Sequence, residues 1–215
     1  MGSIRLLMIA LVAAIVLLAP ALSSTQPAMG QPDAVARITP VQGLVQHRAD
    51  TDLAYEWETL TEDAFLYEGD WVQTDHAGLA EVVFFEGNFV EILPDSLLQV
   101  EEFAFEDEDS PVVVIDLSVG DILTEIDHRL DNDSRYEVHT PTAVVSVRGT
   151  RFFTTVTWQA ETIINHETGT LAVSGVAPDG TISPPILIST TQQLPITSDG
   201  AIGEPGPFNP PDYPP

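Results

Sequence analysis

Cysteine and lysine are both missing from the 215-residue chain, and each absence narrows its chemistry. Without cysteine the protein has no disulfide, no thiolate zinc site, no cysteine nucleophile and no lipid-modified cysteine. Without lysine, its seven basic residues are all arginines, and 33 acidic residues bring the formal net charge to −26. Such a field repels nucleic acid phosphates and anionic lipids, so we expect no nucleic acid partner. It favours a solvated acidic surface or a cationic partner.

Helical periodicity is also lacking inside the chain. Short runs of alternating apolar residues are separated instead by glycine, asparagine and proline, which is typical of strands joined by turns. The sequence therefore predicts an all-β fold, an antiparallel β-sandwich or roll of about ten to fourteen short strands with disordered termini.

The N-terminus has the pattern of a secretory signal. Arg5 precedes an unbroken apolar run, Leu6 to Leu18, and Pro20 ends the run beside small residues suited to cleavage. The run is shorter than the roughly 20 residues that span a bilayer, which favours cleavage of residues 1–23. The alternative is membrane anchoring by residues 6–19. Either way we expect an exported protein, in the periplasm, the cell envelope or the extracellular space.

Composition predicts the remaining boundaries. Residues 24–34 are a linker rich in serine, threonine, glutamine and proline, and 35–175 are the main β domain. Residues 176–202 are a C-terminal β extension. From Gly203 the sequence GEPGPFNPPDYPP is too rich in proline to pack, so 203–215 are expected to be a disordered tail.

Two glycine–aspartate pairs each introduce a predicted strand. Gly69-Asp70 precedes Trp71 to Thr74, and Gly120-Asp121 precedes Ile122 to Thr124, at an offset of 120 − 69 = 51 residues. The likeness indicates either an internal repeat of two similar β units or a chance match, since few residues are shared. Between the two pairs, the stretch Val112 to Leu117 is apolar apart from Asp116 and shows no alternation, which predicts a strand that is buried on both faces.

The most informative stretch runs from Tyr136 to Thr155. After Thr140-Pro141, the residues Ala143 to Val147 alternate as a pleated strand does, and Gly149 interrupts the pattern. A glycine between β-branched runs predicts a bend or a close backbone approach. A second alternating strand then includes Phe152, Thr154, Val156 and Trp158.

Three segments carry a resemblance to a known family. TPTAVVSVRGTRFFT begins at Thr140, EGDWVQT begins at Glu68, and LAEVVFFEGNFVEILPDSLLQV begins at Leu79. Their order and spacing resemble the FecR-type extracytoplasmic domain, over roughly Val41 to Val173. The positions that match the family motifs are Gly69, Asp70, Gly87, Pro141, Arg148, Gly149 and Thr150.

The resemblance implies an all-β domain outside the cytoplasm. In that family the domain reads the state of an outer-membrane receptor and passes it to an anti-sigma segment across the inner membrane. Signalling members place a cytoplasmic helical region before the membrane segment, whereas only Met1 to Arg5 precede the apolar run here. We therefore expect an exported FecR-like domain that binds a protein or an envelope polymer.

Arg148 has two interpretations. It shares a strand face with Val144 and Ser146, in a chain with few bases. It either clamps the strand bend by bonding backbone carbonyls, Asp70 or Asp121, or contacts a partner.

Catalytic and metal-binding motifs are not evident. The acidic runs at 107–109 and 131–133 lack the glycine and terminal glutamate of a calcium loop, and the five histidines show no ligand spacing. There is no nucleophile elbow and no phosphate-binding loop, so we expect no catalytic residue, no metal and no cofactor.

Four functions follow from these observations. The first is a non-enzymatic sensing or interaction module of the bacterial envelope. The second is a transmembrane regulator of sigma-factor signalling with its anchor retained, and the third is a structural scaffold of the envelope with the tail as a spacer. The fourth is an exported hydrolase that assembles a carboxylate pair in three dimensions and acts on polysaccharide. The sequence indicates no oligomeric state.

Overall fold

Strands are the only regular structure in the part of the chain that can be described. The computed structural model describes residues 36–50, 56–85, 88–107, 110–126 and 134–209. Within them are 17 strands, and no helix long and apolar enough to cross a membrane. The strands are β1 (Ala36–Gln42), β2 (Val45–Arg48), β3 (Glu58–Thr59), β4 (Ala64–Leu66), β5 (Trp71–Thr74), β6 (Leu79–Phe85), β7 (Asn88–Ile92), β8 (Leu97–Asp107), β9 (Ser110–Ile126), β10 (Arg135–His139), β11 (Ala143–Val147), β12 (Arg151–Val156), β13 (Thr162–Thr168), β14 (Leu171–Gly175), β15 (Ile186–Ile188), β16 (Gln192–Ile196) and β17 (Gly206–Pro207).

The strands form two sheets that share β9. Sheet A has the order β4-β1-β6-β7-β9-β12-β13-β16-β17. Sheet B has the order β3-β2-β5-β8-β9-β10-β11-β14-β15. Every neighbouring pair is antiparallel except β9 and β10, which are parallel. The strands before β9 lie on one side of it in both sheets, and the strands after β9 lie on the other side.

β9 passes from one sheet to the other at Gly120. Its first part, as far as Val119, pairs with β8 and β10 in sheet B, and its second part, from Gly120, pairs with β7 and β12 in sheet A. Gly120 has a φ of +101°, and a Cβ there would lie 2.3 Å from Ser96 Oγ. Glycine is therefore required at the crossing, both for its backbone conformation and for the space it leaves.

The core lies between the two sheets. A single cluster of buried side chains includes Ile38 and Ile122 from sheet A with Val72 and Val145 from sheet B. Phe84 of sheet A packs against Phe103 and Tyr136 of sheet B, with ring centroids 6.3 Å apart in both pairs. Each such side chain stabilises the fold by roughly 1.5–3 kcal/mol through removal of its apolar surface from water.

The all-β prediction is confirmed. Strand β11 covers Ala143–Val147 as the alternation predicts, and Val112, Val113, Val114, Ile115 and Leu117 are all buried. The strand number exceeds the expected range because several strands have only two or three residues. The parallel pairing of β9 with β10 was not expected.

Two local predictions were wrong. Trp158 does not continue β12, which ends at Val156; it lies in a turn closed by hydrogen bonds from Thr157 N to Glu161 O and from Ala160 N to Thr157 O, both 2.9 Å. Residues 203–209 also pack, because Gly203 N donates to Pro195 O and β17 pairs with β16. Proline is tolerated there since β17 lies at a sheet edge.

The rest of the C-terminal segment belongs to both sheets. Strand β15 is the edge of sheet B and β16 pairs with β13 in sheet A, so residues 176–202 extend the same sandwich. The predicted signal segment 1–23, the linker 24–34 and the last residues 210–215 lie outside the described residues.

Candidate functional site

The segment Arg148-Gly149-Thr150 carries the chain from sheet B to sheet A. It connects β11 to β12, and Gly149 has a φ of +74°. The carbonyl oxygen of Gly149 lies 2.5 Å from where a Cβ on Gly169 would sit, so the two backbones approach closely. Thr150 is buried, and its carbonyl accepts a hydrogen bond of 2.9 Å from Ile126 N. The motif therefore builds a crossing between layers.

Thr140-Pro141 shapes the turn that leads into β11. The Thr140 hydroxyl accepts a hydrogen bond of 2.8 Å from Ala143 N and lies 2.8 Å from the hydroxyl of Thr162. Pro141 is exposed at the tip of the turn, where its missing N–H costs no hydrogen bond.

Asp70 is a buried acceptor. Its Oδ2 accepts a hydrogen bond of 2.9 Å from Tyr67 N and lies 2.9 Å from Nε2 of His47, and its Oδ1 accepts one of 3.1 Å from Asp50 N. Gly69, with a φ of +89°, donates its N–H to Val100 O. These two motif residues fix the start of β5. Gly87 lies outside the described residues.

Arg148 lies on the outer face of sheet B and is exposed. Asp70 and Asp121 were the two carboxylates considered as partners of Arg148. Asp70 bonds with His47 and with two backbone N–H groups. Asp121 accepts a hydrogen bond from the hydroxyl of Thr155. Arg148 instead lines a cavity of about 510 Å³ on that face.

The cavity is a trough across four strands, which we name the sheet B groove. Glu137, Ser146, Ala172 and Leu187 lie side by side on β10, β11, β14 and β15. Ser146 and Ala172 are small and form the floor between the larger Glu137 and Leu187. Arg135, Arg148 and Thr170 also line the groove, and Leu187 is 74% exposed.

A charged network borders the groove on β10. Glu137 accepts hydrogen bonds from His139 Nε2 (3.0 Å), Ser146 Oγ (3.2 Å) and Arg135 (3.4 Å). Because of these partners, His139 first, the pKa of Glu137 lies below its usual range. His139 Nδ1 also lies 2.8 Å from Glu101, and its carboxylate partners, Glu137 foremost, raise the pKa of His139. Since both ring nitrogens face acceptors, the geometry favours the imidazolium form.

The hydroxyl of Ser146 belongs to this charged network, because it donates a hydrogen bond of 3.2 Å to Glu137. No group of three acidic, histidine or cysteine side chains suited to a metal ion occurs among the described residues. The arrangement suits recognition of a polar group from a partner.

Sequence reasoning missed most of these residues. Arg135, Glu137 and His139 recur at every second position of β10, a signal of one polar strand face that was available beforehand. The neighbouring floor residues come from β14, and the sequence gives no sign that β14 lies beside β11.

A second cavity of about 430 Å³ lies where β9 enters sheet A. Its lining includes Asp95, Asp121, Thr157, Trp158 and Gln159. Trp158 is 82% exposed, the largest exposure among the large apolar side chains of the described residues. The sequence pattern had placed this tryptophan on a strand face.

The fold resembles solved structures. Two crystal structures of a candidate anti-sigma factor from Parabacteroides distasonis ATCC 8503, at 1.65 and 2.50 Å resolution, each match with a TM-score of 0.51 and 16% identity. Each match covers 65% of this chain and 60% of the other, so the chain spans less than two thirds of that protein. At this identity the likeness concerns the fold alone.

Sequence comparison finds a family match in the central segment. No curated protein matches the chain. A family model described as FecR protein matches residues 70–172, from the buried Asp70 to Ala172 on the floor of the sheet B groove. Those residues include the sheet crossing at Gly149 and the charged network on β10. Residues 70–172 of this chain are therefore similar to FecR-type domains.

Proposed function

We propose that the protein is a non-enzymatic sensing and interaction module that works outside the cytoplasm and binds a protein or an envelope polymer through its β domain. The sheet B groove is the surface we assign to a protein partner. The observation that carries this proposal is the combination, on one open face, of a floor of small side chains with an exposed leucine and two arginines.

The groove suits a partner that offers one apolar and one acidic group. Leu187 provides apolar surface at the edge of sheet B. Arg148 provides a guanidinium that can bind a carboxylate through bidentate hydrogen bonds. Although the chain has a net charge of −26, this face presents basic side chains to an acidic segment of a partner. Ser146 and Ala172 leave room for a side chain to enter between Glu137 and Leu187.

The proposal is tested by filling the groove. Ala172→Trp places a large ring on the floor, and Ala201→Trp, in an exposed turn away from the groove, is the matched control. We expect a protein captured from envelope extract by the parent chain to bind Ala172→Trp at least about tenfold more weakly and to bind the control unchanged, a loss of about 1.4 kcal/mol. Equal binding to all three chains, with equal melting temperatures, contradicts the groove assignment.

Arg148→Ala and Arg148→Lys distinguish the two interpretations of this arginine. If Arg148 contacts the partner, both variants keep the melting temperature of the parent and lose affinity. If Arg148 clamps the strand bend, both variants melt at a lower temperature. Thermal unfolding followed by circular dichroism separates these results.

A second candidate function is regulation of a sigma factor, with the N-terminal segment retained as an anchor. It is supported by the FecR match and by the fold shared with the candidate anti-sigma factor. A reporter of sigma-dependent transcription should change when the gene is deleted and recover only with a form that keeps residues 6–19. Recovery with a form in which an unrelated cleavable secretory signal replaces residues 1–23 favours the exported module.

A further inference from the structure

We propose that the cavity beside Trp158 is a binding site for a neutral carbohydrate chain. This site is separate from the sheet B groove, and it deepens the envelope-polymer part of the proposed function, on which it rests. The cavity lies at the end of β12 that is farther from Arg148, between the β12–β13 turn and the segment Leu93 to Asp95.

Trp158 supplies the first requirement of such a site, a flat apolar surface that faces water. Its side chain is 82% exposed, although tryptophan is a residue that proteins ordinarily bury for most of its surface. The C–H faces of a pyranose ring stack on an indole, while the sugar hydroxyls remain free to bond with polar neighbours. A tryptophan held out on a tight turn offers this surface without rearrangement.

Polar groups supply the second requirement. The carboxylates of Asp95 and Asp121 accept hydrogen bonds from sugar hydroxyls, and the amide of Gln159 both donates and accepts. Thr155 and Thr157 add hydroxyls to the lining. A sugar presents several hydroxyl groups, each of which both donates and accepts, so this mixture matches a saccharide better than an apolar ligand.

The site is also held in place by its own hydrogen bonds. Ser96 Oγ accepts a bond of 2.9 Å from Asp121 N and donates one of 3.0 Å to Asp121 O, which fixes the backbone on both sides of that residue. Leu93 N donates to Asp121 O at 3.0 Å, and Thr155 donates its hydroxyl to Oδ1 of Asp121. A preorganised surface loses little conformational entropy on binding.

Charge decides between ligand classes. The lining includes two acidic side chains and, in the described residues, no basic one, which disfavours phosphates and acidic sugars. A quaternary ammonium ligand would suit the carboxylates, but such a ligand is typically recognised by a cage of several aromatic rings, and Trp158 is the single aromatic residue of this lining. A neutral sugar stacked on one ring fits both observations.

The experiment titrates the full chain with neutral hexasaccharides of glucose and of N-acetylglucosamine, and follows tryptophan fluorescence and calorimetry. Polygalacturonic acid and a tetralysine peptide are the charged comparison probes. We expect at least one neutral hexasaccharide to bind and to shift the tryptophan emission. Trp158→Ala should bind at least about tenfold more weakly, whereas Trp158→Phe should retain part of the affinity because a ring remains.

Two controls make the outcome specific. Leu187→Ala removes the other strongly exposed apolar side chain, and it should leave saccharide affinity unchanged. Ala172→Trp fills the sheet B groove and should likewise leave it unchanged, so failure of the groove and failure of this site are separable. Binding of tetralysine alone, no binding of a neutral hexasaccharide at millimolar concentration, or equal affinity of Trp158→Ala overturns the proposal.

Discussion

The two glycine–aspartate pairs begin alike and end in different environments. Gly69 and Gly120 both have positive φ, at +89° and +101°. Asp70 is then 2% exposed and satisfied by His47 and two backbone groups, whereas Asp121 is half-buried beside an open cavity. The shared glycine has a positive φ at both positions, and the neighbours decide whether the aspartate carboxylate supports the fold or faces a ligand.

The largest loss of stability is expected at one of the two glycines. Gly120→Ala should lower the free energy of unfolding by about 3 kcal/mol or more, since it adds a left-handed backbone penalty to a clash with Ser96. At Gly69 the Cβ would meet the side chain of Asp50 at 2.6 Å, which can shift, and Gly69→Ala should cost about 1–2 kcal/mol. Denaturant unfolding measures both values. Equal losses would show that the sheet crossing at Gly120 is no tighter than an ordinary turn.

The largest loss at the two aspartates should be smaller than the loss at Gly120. Asp70→Asn turns an amide toward N–H donors and should cost about 2–3 kcal/mol, because buried donors then lack an acceptor. Asp121→Asn keeps an acceptor for Thr155 and should change stability by less than about 0.5 kcal/mol at neutral pH. Both values come from the same denaturant titrations, and a destabilised Asp121→Asn would assign that residue a structural role.

The threonines that follow the two pairs give the next comparison. Thr74 donates to Leu93 O at 2.6 Å and accepts from Ser96 N at 3.0 Å, so Thr74→Val should cost about 1–2 kcal/mol. Thr124 is fully buried, and its hydroxyl finds no partner among the described residues, so Thr124→Val should be neutral or slightly stabilising. Thermal melting checks both, and a large loss at Thr124 would reveal a hydrogen bond to a segment outside those residues.

The smallest effect is expected in the pH dependence of stability. Burial raises the pKa of Asp121 above its ordinary value of 3.8, with the Thr155 hydrogen bond partly opposing the shift. The folded protein therefore binds this proton more tightly than the unfolded chain, so stability falls as pH rises from the unfolded pKa through the folded one. Asp121→Asn lacks this fall, and unfolding midpoints measured over about pH 3 to 7 should show it as a difference from the parent. Parallel profiles would contradict the shift.

The sequence was sufficient for the local structure of several strands. Ala143–Val147 follows from the alternation of its side chains, and the buried run that opens β9 follows from its apolar composition. It was not sufficient for β9 as a whole, because Gly120 predicts a turn, whereas the strand bends there and continues in the other sheet. The energetic reason is long-range pairing with β7 and β12, which local propensity does not contain.

The sites depend on such distant contacts even more strongly. Arg148 was identified from its motif. Ala172 and Leu187 lie in the same groove only because β11, β14 and β15 are neighbours in sheet B, which the motif does not reveal. Trp158 was assigned to a strand because it continues the alternation of β12, and the turn bond from Thr157 to Glu161 overrides that pattern. The exposure of the Trp158 side chain depends on the tertiary structure around this turn, and the local sequence pattern does not contain it.

Strand β9 is a central strand of both sheets. In the described part of the chain, neither sheet can therefore separate from the other while β9 keeps its pairing. Strands from before and after it lose their pairing together if β9 leaves, in sheet A as well as in sheet B. Amide protons of Val113 to Leu117 and of Ile122 to Thr124 should thus exchange with solvent with one common free energy of opening, equal to that of global unfolding. A mechanical force applied to either end of the domain would act on a single cooperative unit. This property suits a domain that transmits the effect of a bound ligand without unfolding.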